Sequence, residues 1–205
     1  MQQLPLYRNN KTMLQQLAYL PSILTSDNGH EYNYDVNAKA RYALLIELQY
    51  DLQIQDENLV RYLLKQEILA SETNSMGGVS DSLILNAYLL VGFKNPNDII
   101  LFYNAKHSNF DASFVIDNEF MLYALRDKTE TFIKNYFPEI HDDLKEIYSQ
   151  YYCDDALEDW WAHLSNDYPE QEVDEGLYTL YQRSVYFKDY KLAKKHLEAW
   201  NEATP

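Results

Sequence analysis

Apolar residues recur along this chain at the spacing of a single helix face. Between positions 140 and 151 they fall at Ile140, Leu144, Ile147, Tyr148 and Tyr151, while Asp142, Asp143 and Glu146 take the opposite side. The interval returns as Leu44, Leu48 and Leu52, as Val60, Leu63, Leu64 and Ile68, and as Val173, Leu177, Leu180 and Tyr181. Start signals agree with it. In Asn95-Pro96-Asn97-Asp98 a capping Asn precedes a Pro at the first helical position, and Pro138 opens a helix over 139–152. Segments 83–91 and 113–125 are apolar nearly all round and belong at the centre, as helices or as a buried strand pair, because short apolar runs fit both. Loops are expected at 26–37, at 71–79 with its Met76-Gly77-Gly78, and at 167–172 around Pro169. The Asn28-Gly29 pair sits between polar residues, so a β-hairpin is poorly signalled.

This pattern predicts an all-α fold of roughly nine or ten helices, packed as stacked antiparallel hairpins, as an irregular bundle, or in a solenoid-like stack. Residues 1–205 read as a single helical domain, with a softer division near 71–79. Composition supports a packed interior. The chain is 46% hydrophobic and 15% aromatic, which excludes an acidic disordered tail, and its 5 Gly and 6 Pro exclude low-complexity chains. Cys153 is the sole cysteine, so neither an intramolecular disulfide nor a cysteine-built zinc site is available. A reducing, cytoplasmic location is therefore expected. Residues 1–11 lack the apolar stretch of a secretory signal, and no apolar run approaches the ~18 residues of a membrane span.

The stretch Asp189-Tyr190-Lys191-Leu192-Ala193-Lys194-Lys195-His196-Leu197-Glu198-Ala199-Trp200, closed by Pro205, resembles the second helix of a tetratricopeptide repeat. Ala193, Leu197 and Pro205 match in spacing, while Trp200 stands where that family prefers Ala. The resemblance implies stacked antiparallel helices and an adaptor that holds a peptide on a concave surface.

Catalytic motifs are mostly missing. Gly77-Gly78-Val79-Ser80-Asp81 places an acid where a phosphate-binding loop needs Lys, and no Gly-x-Ser-x-Gly elbow occurs. None of His30, His107, His141, His163 and His196 has a Glu three residues before it, as a helical di-metal site requires, and Asp159 with His163 supplies only two ligands. No cofactor or metal is expected. The most enzyme-like cluster is Asp111, Asp117 and Glu119 with His107 nearby, since carboxylates beside apolar surface acquire pKa values suited to acid–base work. The structural alternative has Asp111 capping a helix and Asp117 and Glu119 facing solvent.

Charge is what stands out. The net charge of -15 is concentrated: residues 139–175 hold thirteen acids and one base, Lys145, giving -12, and the remainder is -3. A surface this acidic repels phosphate backbones, so nucleic acid is not an expected partner. Interleaved Tyr and Trp are types enriched at interface centres. Asp142, Asp143, Glu146, Asp154, Asp155, Glu158, Asp159, Trp160, Trp161, Asp174 and Glu175 are the candidate partner-binding residues, with one exposed Trp as the anchor. A small, acidic, single-cysteine helical chain of this kind is similar in character to the immunity proteins that bacteria make against their own toxins. That similarity implies a non-enzymatic inhibitor of a basic protein. The alternatives are the peptide-binding adaptor and, third, a helical hydrolase or metal enzyme.

Overall fold

A computed structural model of the chain describes residues 3–25, 31–73, 78–126 and 130–203. Among them the protein is all-α apart from one two-stranded ribbon. After α1 (Leu4–Asn9), the ribbon β1 (Pro21–Thr25) and β2 (Glu31–Asp35) leads into α2 (Ala38–Tyr50), α3 (Glu57–Thr73) and α4 (Asp81–Val91). The apolar stripes read from the sequence are the buried faces: Leu44 and Leu48 on α2, and Val60, Leu63, Leu64 and Ile68 on α3. The segment that is apolar all round becomes α4, the central helix, against which α2, α3 and the later α5 (Ile99–Lys106) and α7 (Glu119–Leu125) pack. Helices α3 and α4 run antiparallel. Ser82 at the start of α4 donates to Glu67 near the end of α3 (2.6 Å), and the buried Asn86 faces the α3 backbone at Val60 and Leu64.

The expected 113–125 segment divides into α6 (Ala112–Val115) and α7, broken at Asp117-Asn118, residue types that favour helix starts over helix interiors. Such breaks raise the number of α-helices among the described residues to twelve, above the nine or ten expected. The strand-pair alternative for 83–125 is not what forms. The core is continuous from Leu4 to Leu157. A helix surrounded by four others makes an irregular bundle, unlike a solenoid in which each unit meets only its neighbours.

Several local expectations are corrected, among them the loop expected at 71–79, whose first three residues close α3. Residues 26–37 are not wholly loop, because β2 pairs with β1 antiparallel from Pro21 opposite Asp35 to Thr25 opposite Glu31; the Asn28-Gly29 turn itself lies outside the described residues, as do Met76, Gly77 and Pro205. The ribbon is fastened at its base. Asp35 accepts from the backbone N–H of Leu20 (3.0 Å) and Asn37 (3.1 Å) and from the guanidinium of Arg41. Those bonds, rather than an apolar alternation, hold the strands in place. The stripe Val173-Leu177-Leu180-Tyr181 also starts too early: α11 (Leu177–Tyr186) begins four residues later, and Val173 is 82% exposed in a 3₁₀ turn. Likewise Leu52 lies beyond the end of α2.

Asn95 caps the turn before α5 through Asn97 N (3.0 Å), and its amide also donates to the Glu57 carboxylate (2.6 Å). That bond, opposed by partial burial and helped by Arg61, holds Glu57 below its ordinary value of 4.5. A depressed carboxylate adds stability that is present above its unfolded pKa and lost as pH falls through the lower folded value. Asn95→Ala is expected to move the Glu57 pKa upward in a carboxyl-carbon NMR titration. An unchanged value would show that the amide is not the cause.

The chain ends in a helix pair, α11 and α12 (Tyr190–Ala203), packed antiparallel, with Ser184 near His196 (3.2 Å) and Tyr178 against Trp200 (5.1 Å between centroids). The segment resembling a tetratricopeptide helix is α12. The pair meets α2 through Tyr186 and Phe187, which pack on Tyr42 at 5.3 and 5.7 Å. Burial, with the Glu67 charge nearby, leaves the Tyr186 hydroxyl pushed up to about 12.

Candidate interaction face

The acidic window folds as α9 (His141–Tyr151), α10 (Asp154–Asp167) and the 3₁₀ turn Glu172–Asp174, following α8 (Glu130–Tyr136). Each long helix is anchored by one fully buried leucine, Leu144 on α9 and Leu157 on α10, with Ile147, Tyr148, Trp160, Trp161 and Leu164 half-buried around them. The 3.6-residue period then turns the acids outward. Of the thirteen acids in 139–175, twelve are exposed. Four of these, Asp142, Asp143, Asp154 and Asp155, stand in the first turns of α9 and α10, where the helix dipole favours them. That reason does not extend to Glu146, Glu158, Asp159 or Glu170.

Few of the charges are answered within the fold. Arg126 pairs with Glu158 (2.6 Å), Tyr103 donates to Asp143 (2.6 Å), Tyr152 donates to Asp154 (2.7 Å), Gln150 to Glu146 (2.9 Å), and the His141 ring lies against Asp142 (3.0 Å). The bond to Asp143, with some burial, raises the Tyr103 hydroxyl above its ordinary value. Asp155, Asp159 and Asp174 make no side-chain hydrogen bond or ion pair among the described residues.

Two candidate types are placed differently from the sequence expectation. Glu175 is only 6% exposed, accepting from Gln49 (2.7 Å), Tyr50 (3.1 Å) and Arg183 (3.0 Å), so it fastens α11 to α2 and presents nothing to a partner. Neither tryptophan is an exposed anchor. Trp160 packs edge-on against Phe120 (5.0 Å) and donates its indole N–H to Asp117 (3.0 Å). Trp161 belongs to a column of four stacked rings, Tyr123, Trp161, Tyr88 and Tyr168, with successive centroids 4.9, 5.2 and 4.7 Å apart. The Arg126 guanidinium closes the Tyr123 end, 3.8 Å from the ring centre. The column joins α7, α10, α4 and the loop after α10, and so carries the acidic helices on the core.

The enzyme-like residues are put to other use. Asp117 holds Trp160, and Asp111 is exposed without capping α6, a task taken by Asn109, which accepts from Ala112 N (2.8 Å). Lys106 lies near Asp117 and Glu119 but donates to the carbonyls of Ser113 and Ile116 (both 2.7 Å); burial lowers its pKa and the two acids oppose that shift. The His107 ring lies tilted against Tyr103, 4.1 Å between centroids. Among the described residues no three His, Cys, Asp or Glu side chains are grouped to hold a metal ion, and no helix is long and apolar enough to cross a membrane.

What sequence reasoning missed is a groove beside the column, between the end of α2, the segment 51–54, the end of α4 and the loop at 168–171. Its trace in the sequence is Leu52 and Ile54, apolar positions two apart, from just past the end of α2 to the start of the 3₁₀ turn Ile54–Asp56. No family model matches this chain, and searches of curated proteins and of solved structures find none similar to it.

Proposed function

We propose that the protein is a non-enzymatic interaction module that binds a basic protein through its acidic face, in the manner of an immunity-type inhibitor that neutralises a toxin. The reading is carried by one observation: twelve solvent-facing carboxylates occupy a 37-residue window with a single base. Charges this exposed are poor stabilisers of a fold, since surface pairs are worth ~0–1 kcal/mol, but their summed field accelerates the encounter with an oppositely charged surface. Asp155, Glu158 and Asp159 on α10, with Asp142 and Glu146 on α9, supply the steering charge. Because the two tryptophans are packed, the tight apolar contact has to come from elsewhere on the face.

The test is capture of the partner from the source cell on immobilised protein, beside a variant carrying Asp154→Lys, Asp155→Lys, Glu158→Lys and Asp159→Lys. A basic protein is expected on the wild-type protein and lost from the variant. Its association rate should fall about tenfold or more as salt rises from about 0.05 to 0.5 M. Association indifferent to salt and to the four reversals would defeat the reading.

A further inference from the structure

We infer that the groove beside the aromatic column is the socket that takes a lysine- or arginine-bearing segment of the basic partner, with Glu170 as its principal anchor. This rests on the reading of the acidic window as a surface for a basic protein and says where on it the partner is gripped. The groove has a volume of about 600 Å³ and is open to solvent. A second depression of about 400 Å³, which Glu47 and Glu172 border, lies beside it, with Tyr50 and Asp51 lining both. Two adjacent depressions on one acidic face suit successive side chains of a segment of the partner.

The lining has two halves, and they match the two halves of a cationic side chain. Tyr88, Trp161 and Tyr168 spend their ring faces on one another, so the groove meets the flank of their stack, an apolar floor. Leu52 and Ile54 form the opposite lip, 38% and 80% exposed, and so leave apolar surface open beside that floor. Along the rim stand the polar groups Gln53, Gln171, Asp51 and Glu170. Lys and Arg carry an aliphatic stem that covers apolar surface and a charged head that seeks carboxylate and amide oxygens. Among the described residues lining both depressions there is no Lys or Arg, and the one cation that reaches the rim, Arg8, is held by Asp51 and Asp56.

The rim carboxylates are not equivalent. Asp51 is already engaged by Arg8 (2.6 Å) and by Gln53 (3.1 Å), and Glu47 accepts from the backbone N–H of Gln3 and Leu4. Glu170 is exposed and makes no side-chain hydrogen bond or ion pair among the described residues, which leaves it free to receive the cation. Glu170 and Glu172 also belong to the 139–175 window. The field that steers the partner therefore leads into a part of the face where apolar surface lines a groove, and this supplies the desolvated contact that the packed tryptophans do not.

The experiment uses the full chain and a blocked peptide, Leu-Arg-Leu-Arg, with Leu-Glu-Leu-Glu as control, followed by ¹H–¹⁵N NMR. The expected result is movement of the Trp161 indole, Gly92 and Gln171 signals by the basic peptide alone. Two variants address the two halves. Glu170→Lys removes the anchor, and Gly92→Leu puts a side chain into the groove from a position where a Cβ makes only ordinary contacts, with Trp161 at 3.6 Å and the α4 carbonyls at 3.5 Å or more. Each should weaken peptide binding, and capture of the cellular partner, about tenfold, whereas Asp155→Lys with Asp159→Lys on the outer side of α10 should cost the peptide less than about threefold. The reverse ranking, or equal binding of the acidic peptide, overturns the groove. If partner capture depends on the α10 reversals but not on Glu170 or Gly92, the groove assignment fails while the acidic-face reading stands. If it depends on neither set, both fail.

Discussion

Replacing Arg41 with alanine is expected to cost about 3–5 kcal/mol of folding stability, the range for breaking a buried ion pair by removing one partner. Arg41 is fully buried, although burial alone would lower its pKa; the carboxylates of Glu67 and Asp35 hold it above the ordinary value instead. Its Nε donates to Glu67 (2.6 Å), one Nη donates to Asp35 and the other to the carbonyl of Leu17 (3.3 Å). The second oxygen of Glu67 accepts from Ser82. One side chain thereby ties α2, α3, the start of α4 and the base of the ribbon. Alanine would leave two carboxylates in the interior with no cation, and that orphaned charge, more than the lost contacts, sets the size of the effect. In thermal unfolding the midpoint should drop by roughly 10 °C for a chain of this length. The double variant Arg41→Met, Glu67→Leu should lose distinctly less, because it removes charge from both sides of the main pair. A double variant no more stable than the single one would mean that packing, not charge, is what Arg41 contributes.

Arg41 also shows where reading the sequence stops. Positions 41, 44, 45 and 48 lie on one face of α2, and all four are buried. Leu44 and Leu48 were legible as core; nothing in the local pattern marks Arg41 as joining them until its partners on other elements are known. Glu175 was misread for the same reason. In sequence it continues an acidic run, and only the return of α11 against α2 shows that its carboxylate faces Arg183, Gln49 and Tyr50. The ribbon escaped because its hold comes from Asp35 and Arg41 and not from strand alternation. The helix stripes apart from Leu52 and Val173, the Asn95 and Pro138 starts and the outward acids of α9 and α10 were readable because each is a property of local period and capping. The groove was not, since residues 49–54, 88–93 and 161–171 meet only in three dimensions.

Arg183→Ala should detach the last helix pair while leaving the centre intact. Arg183 donates to Glu175 and Tyr50 through one Nη and to Gln49 through the other (3.0 Å), and Gln49 donates in turn to Glu175 and to the carbonyl of Pro169 (2.8 Å). Apart from the packing of Tyr186 and Phe187 on Tyr42, this cluster is the main polar hold of α11 and α12 on the bundle. Loss of the guanidinium leaves the Glu175 carboxylate buried and unpaired, again about 3–5 kcal/mol, but here the protein can relieve it locally by letting the pair swing out to water. Amide hydrogen exchange should therefore accelerate by about two to three orders of magnitude across 177–203, at ~1.4 kcal/mol per tenfold, while α3 and α4 keep their protection. Equal loss of protection in α4 would show instead that the pair unfolds only with the whole. Because Gln49 holds Pro169 as well, the 168–172 loop should loosen with it. In that case Arg183→Ala weakens the basic peptide at a distance from the groove, through the positioning of Glu170 and Gln171, and its effect on binding should be no larger than that of Glu170→Lys itself.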